Sequence, residues 1–359
     1  MRIVQVISSS ATSGAERHVY SLSRLLCQRG HHVEVVCPPS GWLANDLQKA
    51  GIAVHTFDMK GVGWLRTTGF LARRLRHDFD VVHTHLTRAT YFGAVAGLLT
   101  NVPAVASVHI ANHDQIYKRM AMRKNRLVAV SNYVRGMLHG RGIPDRFIDT
   151  VYNGTDFVEF DPSPPESVKA EFGIDRSHRI VGLVGRISRE KGHLLMVEAM
   201  SDVMREHKDV HLMLVGRIEP TFEEEFNEAV DRAGVRERLV MTGVRQDVPR
   251  LLDGFEMTAM PSHRETFGIA AIEAMARSRP VVASRIGGLP EVVRHGQTGL
   301  LIDLRPDELR NALSYLLENE REAKEMGALG RRLVEEKFTL GHMASRLESV
   351  YRKAMGLTD

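Results

Sequence analysis

The 359-residue chain is 43% apolar, 26% charged and 6% aromatic, the composition of a water-soluble globular protein long enough for two hydrophobic cores. Its two cysteines, Cys27 and Cys37, exclude a cysteine-based metal cluster and read as reduced thiols of a cytoplasmic protein. The net charge of +4 conceals an asymmetry: residues 1–150 carry 19 Lys and Arg against 9 Asp and Glu, the remainder 29 against 35, so a basic half and an acidic half point to two units with different partners.

The apolar run Arg2–Ile7 opens the chain as a strand and is too short for the core of a signal peptide. Further short Val/Ile/Leu runs follow at His32–Cys37, Ala53–Phe57, Asp80–His83, Ala104–His109, Leu127–Val130 and Thr150–Tyr152. Continuous apolar runs bounded by turns predict buried parallel strands. Amphipathic segments at Gly14–Arg29, Leu65–His77, Arg88–Leu99 and Asn132–His139 supply the helices between them. Tyr91 to Ile110 is the most membrane-like window, but Asn101–Pro103 splits it, and no transmembrane helix is expected.

Asp161-Pro162-Ser163-Pro164-Pro165 breaks the alternation. It restarts with strands at Ile180–Val184, Leu212–Val215, Leu239–Thr242, Met257–Met260, Val281–Ala283 and Leu300–Ile302, and a helical tail follows Pro306. The pattern predicts an α/β protein of two Rossmann-like, doubly wound domains facing each other across a cleft. The expected boundaries are 1–160, a linker at 161–178, 179–340, and a C-terminal helix at 341–359 with the N-terminal domain as one surface to pack back on.

In such domains ligands bind beyond the carboxyl ends of the strands. The loop Ser8 to Glu16, rich in small residues and opening a helix at Gly14, would let a phosphate approach backbone N–H groups. A plain strand-to-helix turn reads equally well there, and G-x-G-x-x-G is absent. His109 ends a strand and suits either a sugar hydroxyl or a structural role. His83 and His85 share a strand face, yet spacing shows no third ligand, so no metal is expected. Asp78-Phe79-Asp80 spells D-x-D but only leads into a strand.

In the second half, Gly185 to Gly192 follows a strand and carries Arg186 and Lys191, two cations able to converge on a diphosphate at a helix start. Glu265 and Glu273 bracket a further helix start. Eight residues at ~1.5 Å rise place these carboxylates at most ~12 Å apart along the axis. The N–H groups of Thr266, Phe267 and Gly268 between them are expected to be unpaired and to suit an anion. Hydroxyls at both ends and phosphate in the middle describe a sugar nucleotide. Two basic stretches, Arg73-Arg74-Leu75-Arg76 and Lys118 to Arg126, also stand out as candidates for membrane or acceptor contact. In the second, Lys118, Arg119, Arg123 and Lys124 share an expected amphipathic helix with Ile116, Met120 and Met122, which suits an anionic membrane or acceptor as well as solvent. Sparse aromatics and no binding motif argue against nucleic acid.

Together Ser13 to Glu16, Val108-His109, Val130-Ser131, Tyr152 to Asp156, Val184 to Arg186, Glu190 to Gly192, the Glu265–Glu273 run and Ala283 to Glu291 resemble, in order and spacing, the family-4 retaining glycosyltransferases of the GT-B fold, the glycosyl transferases group 1. The match spans nearly the whole chain, with Thr266 standing where glycine is frequent and Ser278-Arg279 where a small turn residue is usual. The resemblance implies metal-independent transfer, with retention and no cofactor, from a nucleoside-diphosphate sugar, UDP favoured over GDP. The basic first half favours as acceptor a hydroxyl of a lipid-linked or cell-surface glycan, as in lipopolysaccharide or polysaccharide synthesis at the inner membrane face. The resemblance assigns Arg186 and Lys191 to the diphosphate, Glu273 to the ribose, Glu265 and the amides of Thr266, Phe267, Gly268 and Ile269 to sugar and phosphate, and Gly14 to the diphosphate. His109 falls to the sugar's reactive end, and Gly216, Arg217, Val244 and Arg245 to the base. The competing activities are an epimerase or phosphorylase on the same architecture, or a non-catalytic sugar-nucleotide-binding protein.

Overall fold

A computed structural model describes residues 1–9, 14–61, 63–109 and 115–357. Two compact units result, Met1–Gly154 with Leu340–Asp359, and Thr155–Thr339. The first alternates β1 (Arg2–Ile7), α1 (Gly14–Gln28), β2 (His32–Cys37), α2 (Trp42–Lys49), β3 (Ala53–Thr56), α3 (Gly63–Leu75), β4 (Val81–His85), α4 (Thr87–Thr100), β5 (Ala104–Val108), α5 (Ile116–Met120), β6 (Arg126–Ala129), α6 (Asn132–Gly140) and β7 (Ile148–Thr150). Its seven strands, ordered β3-β2-β1-β4-β5-β6-β7, are all parallel. β1, β4 and β5 bury both faces, which is why their sequences read as continuous rather than alternating apolar runs.

The second unit contains α7 (Pro165–Glu171), β8 (Arg179–Val184), α8 (His193–Glu206), β9 (Val210–Val215), α9 (Glu223–Ala233), β10 (Leu239–Gly243), α10 (Val248–Asp253), β11 (Met257–Met260), α11 (Ile269–Ala276), β12 (Val281–Ser284), α12 (Leu289–Val292), β13 (Gly299–Ile302), α13 (Pro306–Glu318) and α14 (Glu320–Lys337). Its parallel sheet runs β10-β9-β8-β11-β12-β13. The range 161–178, expected as linker, is therefore corrected. It holds α7, whose Val168 is fully buried, and it belongs to the second unit. Arg277 and Asp253, both buried, form an ion pair there, and the same guanidinium donates to the carbonyls of Phe157, Phe160 and Asp161.

The last helix, α15 (Leu340–Met355), lies in the first unit. Leu340, Met343, Leu347, Val350 and Tyr351 join Ile3, Leu22, Val81 and Val105 in one core. No helix among the described residues is long and apolar enough to cross a membrane.

The basic helix expected over Lys118 to Arg126 is corrected as well. α5 ends at Met120, where the Asn125 side chain donates to the Met120 carbonyl and accepts from the Ala104 amide. Arg123 sits in the following turn at φ 55°, and Arg126 enters β6 and pairs with Asp149 at 2.6 Å. The apolar side chains Ile116, Tyr117 and Met120 face the core, leaving Lys118 and Arg119 exposed on a single turn.

Candidate functional site

In each sheet the chain reverses its direction of growth once, and such a switch point opens a crevice past the strand ends. In the second unit the switch lies between β8 and β11. The loops leaving these two strands are the ones that carry Arg186 and Lys191, and Glu265. A backbone bond from the His263 amide to the Glu190 carbonyl at 2.8 Å ties the two loops together. Gly192 takes φ +75°, and a Cβ there would meet the Pro261 carbonyl oxygen at 1.8 Å, so only glycine lets the loops approach this closely.

Glu265 is the centre of the site. Its Oε2 accepts from Lys191 Nζ at 2.6 Å, and its Oε1 accepts from the Thr266 amide at 3.1 Å and from the Phe267 amide at 3.5 Å. These amides, expected to be unpaired, are thus bonded to the protein's own carboxylate, which stands where an anion would stand. The Phe267 ring is buried against Phe338, so only its backbone belongs to the site. Gly268 caps α11 at φ 106°, Ile269 begins the helix, and Glu273 is buried inside it. Gly287 holds this loop from behind at φ +61°, where a Cβ would meet the Glu265 carbonyl oxygen at 1.8 Å, while the Gly288 amide donates to the same carbonyl at 3.1 Å.

Arg186 does not share the carboxylate of Lys191. Its guanidinium pairs with Glu219 at 2.6 Å and stands 3.7 Å from Glu190. With the side chain half exposed, this pair is cheap to open. Gly216 follows β9, and Arg217 is exposed. Val244 is exposed, but Arg245 is already engaged by Asp247 at 2.8 Å and Glu171 at 2.7 Å. Arg250 binds the same two acids, and the bonds from Arg245 hold the Asp247 carboxyl well below the usual carboxylate range. Beside Lys191, buried His193 opens α8, and burial lowers its pKa to about 4.

In the first unit the switch lies between β1 and β4. Gly14 starts α1 and is exposed; Ser10 to Ser13 of its loop lie outside the described residues. His109 follows β5, half-buried, with Nε2 at 3.2 Å from Nδ1 of His85. Burial lowers its pKa to about 4, so the ring is neutral near pH 7. His83 turns to Tyr351 Oη at 2.6 Å and Ser107 Oγ at 2.8 Å. His85 instead gathers with His109 and with His18 from α1. Spacing along the chain misses this set because its members come from three different elements. Glu219, Gln5 and Tyr351 were missed likewise. Arg74, one of the cations offered to a membrane, is paired with Glu34 and Asp78, while Arg73 and Arg76 are exposed.

Comparisons with known proteins agree with this arrangement. The family model described as Glycosyltransferase Family 4 matches residues 12–159, and that described as Glycosyl transferases group 1 matches residues 166–333. The alpha-maltose-1-phosphate synthase of Mycolicibacterium smegmatis is 33% identical over 312 residues, 76% of this chain and 79% of that protein. The D-inositol 3-phosphate glycosyltransferase of Segniliparus rotundus is 34% identical over 188 residues, 51% of this chain and 42% of that protein. Among solved structures, Anabaena HepE in complex with UDP and glucose superposes with a TM-score of 0.88 at 21% identity, covering 97% of this chain and 98% of that one. Two parallel α/β units of this topology, each matched by one of the two family models, place the chain in glycosyltransferase family 4, with the GT-B class of fold.

Proposed function

We propose that this glycosyltransferase moves a hexosyl group, with retention and without a metal at the diphosphate, from a UDP-sugar to a hydroxyl of a glycan or lipid-linked acceptor on the cytoplasmic face of a membrane. The observation that carries the reading is the Lys191–Glu265 pair at the β8/β11 switch point, with its carboxylate seated on helix-terminal amides. An entering sugar diphosphate offers the same charges. Phosphate oxygens take over Lys191, Arg186 and the Thr266 and Phe267 amides, and Glu265 is released toward the sugar hydroxyls. Glu273 is proposed to hold the ribose, Gly14 to approach the diphosphate, and Gly216, Arg217 and Val244 to flank the base. The ion pairs of Arg245 make it the least available of that group.

Arg186 and Lys191 neutralise the departing diphosphate, an oxocarbenium-like sugar forms, and the acceptor hydroxyl attacks from the leaving-group face. The phosphate itself takes the proton. Neutral His109 is proposed to hydrogen-bond the sugar rather than to act as a cation.

Anabaena HepE is described with UDP and glucose, which supports the uridine choice. The lipid-linked acceptor is supported by exposed Trp64 and Leu65 on α3 and exposed Tyr91, Leu98 and Leu99 on α4, apolar groups of the kind that seat at a lipid interface. A second reading, a small phosphorylated acceptor, is favoured by the basic first half and by the relatives named for maltose 1-phosphate and inositol 3-phosphate. Thermal-shift titration with UDP- and GDP-sugars tests the donor, and stabilisation by neither would overturn the proposal. NMR of the product anomer, with and without EDTA, tests retention and metal independence. Product formation with sugar phosphates or with lipid-linked glycans separates the two acceptors.

A further inference from the structure

The imidazoles of His18, His85 and His109 each offer a nitrogen, and the three nitrogens lie within 4.8 Å of one another. None belongs to the diphosphate-binding cations. Two zinc-bound nitrogens at ~2.0–2.1 Å in tetrahedral geometry stand roughly 3.3 Å apart. His85 Nδ1 and His109 Nε2 are 3.2 Å apart, a separation that fits either one shared proton or one shared ion.

Two further observations favour an ion. First, His85 Nε2 lies 2.7 Å from Gln5 Oε1. The amide oxygen can only accept, so Nε2 carries the proton and Nδ1 presents its lone pair to the cluster. A ligating histidine whose other N–H donates to a carbonyl-type oxygen is the usual outer-shell arrangement of metal sites. Second, His18 is 8% exposed and its Nε2 has no hydrogen-bond partner among the described residues. Asn153 Oδ1, equally unsatisfied among those residues, is the competing acceptor for that nitrogen's proton. A buried imidazole nitrogen without a partner is unfavourable, and a metal bond would satisfy it. His83, by contrast, has both nitrogens engaged by Tyr351 and Ser107 and is no ligand.

We propose that His18 Nε2, His85 Nδ1 and His109 Nε2 form a three-histidine site for a borderline divalent cation of the zinc type, with Gln5 as its outer-shell anchor. A turn of the His18 side chain closes the set. Three protein ligands leave a fourth coordination position, as in open rather than purely structural zinc sites. The site shares His109 with the sugar contact proposed above, but its test reads metal binding alone and does not depend on the transfer reaction.

The test uses the full, untagged chain, stripped with chelator and titrated with Co²⁺, then with Zn²⁺. The expected result is an intense visible d–d band that saturates at one Co²⁺ per chain and is abolished by one Zn²⁺. His18→Gln should weaken Co²⁺ binding at least about tenfold, whereas His178→Gln, which removes one ring of the other close imidazole pair, His178–His211 at 2.9 Å, should leave it intact. Absence of the band in the wild-type chain, or an unchanged titration in a folded His18→Gln, would overturn the site. Far-UV circular dichroism establishes that His18→Gln is folded. The wild-type Co²⁺ spectrum decides without any variant.

Discussion

Lys191 and Glu265 show how much chemistry can rest on one ion pair. The Lys191 side chain is 27% exposed and that of Glu265 is 12% exposed, a middle ground in which an incoming anion can compete for the cation without first unburying it. If the donor diphosphate takes over Lys191, Lys191→Ala should lower kcat on the order of 10²–10³-fold, the usual loss for one preorganised donor to developing charge. A variant with full kcat in steady-state assays would remove Lys191 from the reaction. His193, the first residue of α8, carries a pH prediction. Its folded-state pKa is depressed by burial to about 4 from the ordinary imidazole value of about 6.5, so below that value the unfolded chain takes up a proton that the folded chain refuses. Stability is therefore complete above that value and falls as pH drops toward 4. Urea unfolding at pH 7 and pH 5 should show a steeper loss for wild type than for His193→Gln. The difference approaches about 1.4 kcal/mol per pH unit within the window, and equal slopes would refute it.

At the scale of elements, loops rather than strands decide the site. Gly287 leaves no room for a Cβ against the Glu265 carbonyl. Gly287→Ala should shift the 265–268 loop, raise KM for the donor at least about tenfold, and leave the unfolding transition within about 2 kcal/mol of wild type. A donor titration beside a melting curve separates these effects. The Arg277–Asp253 pair is the opposite case. Both side chains are almost wholly buried, and the guanidinium also satisfies three carbonyls of the 157–161 segment. Removing one partner strands a charge in the core, so Asp253→Ala should cost about 3–5 kcal/mol by equilibrium denaturation. How legible these features were differs sharply. Glycine positions and the cations after β8 could be read from the chain because turns and strand ends have local signatures. The partners could not, since Lys191 meets a carboxylate 74 residues away and Arg277 meets carbonyls more than 100 residues away. The basic helix failed for the converse reason: a helical charge pattern over Lys118 to Arg126 was overruled by the pairing of β6 with β5, which sets Arg126 opposite Val105 as a strand residue.

For the whole molecule, the C-terminal helix is the decisive piece. Leu340, Met343, Leu347, Val350 and Tyr351 of α15 complete the core beside β1, β4 and β5. Five buried side chains at about 1.5–3 kcal/mol each approach the entire stability of a domain. Deletion after Thr339 should therefore leave the first unit unfolded or dye-binding in an ANS assay, and a cooperatively folded truncation would contradict this. Along the chain, continuous apolar runs and the glycines that punctuate them determined the parallel strands, the two-unit organisation and the motifs of the family, because each depends on residues a few positions apart. Strand order is non-local. It alone set the switch points beside β1 and β8, brought Lys191 to Glu265, and gathered His18, His85 and His109 from three elements. An amphipathic pattern states which face a segment must bury, but only the folded structure supplies the surface it is buried against, and α15 found that surface in the first unit.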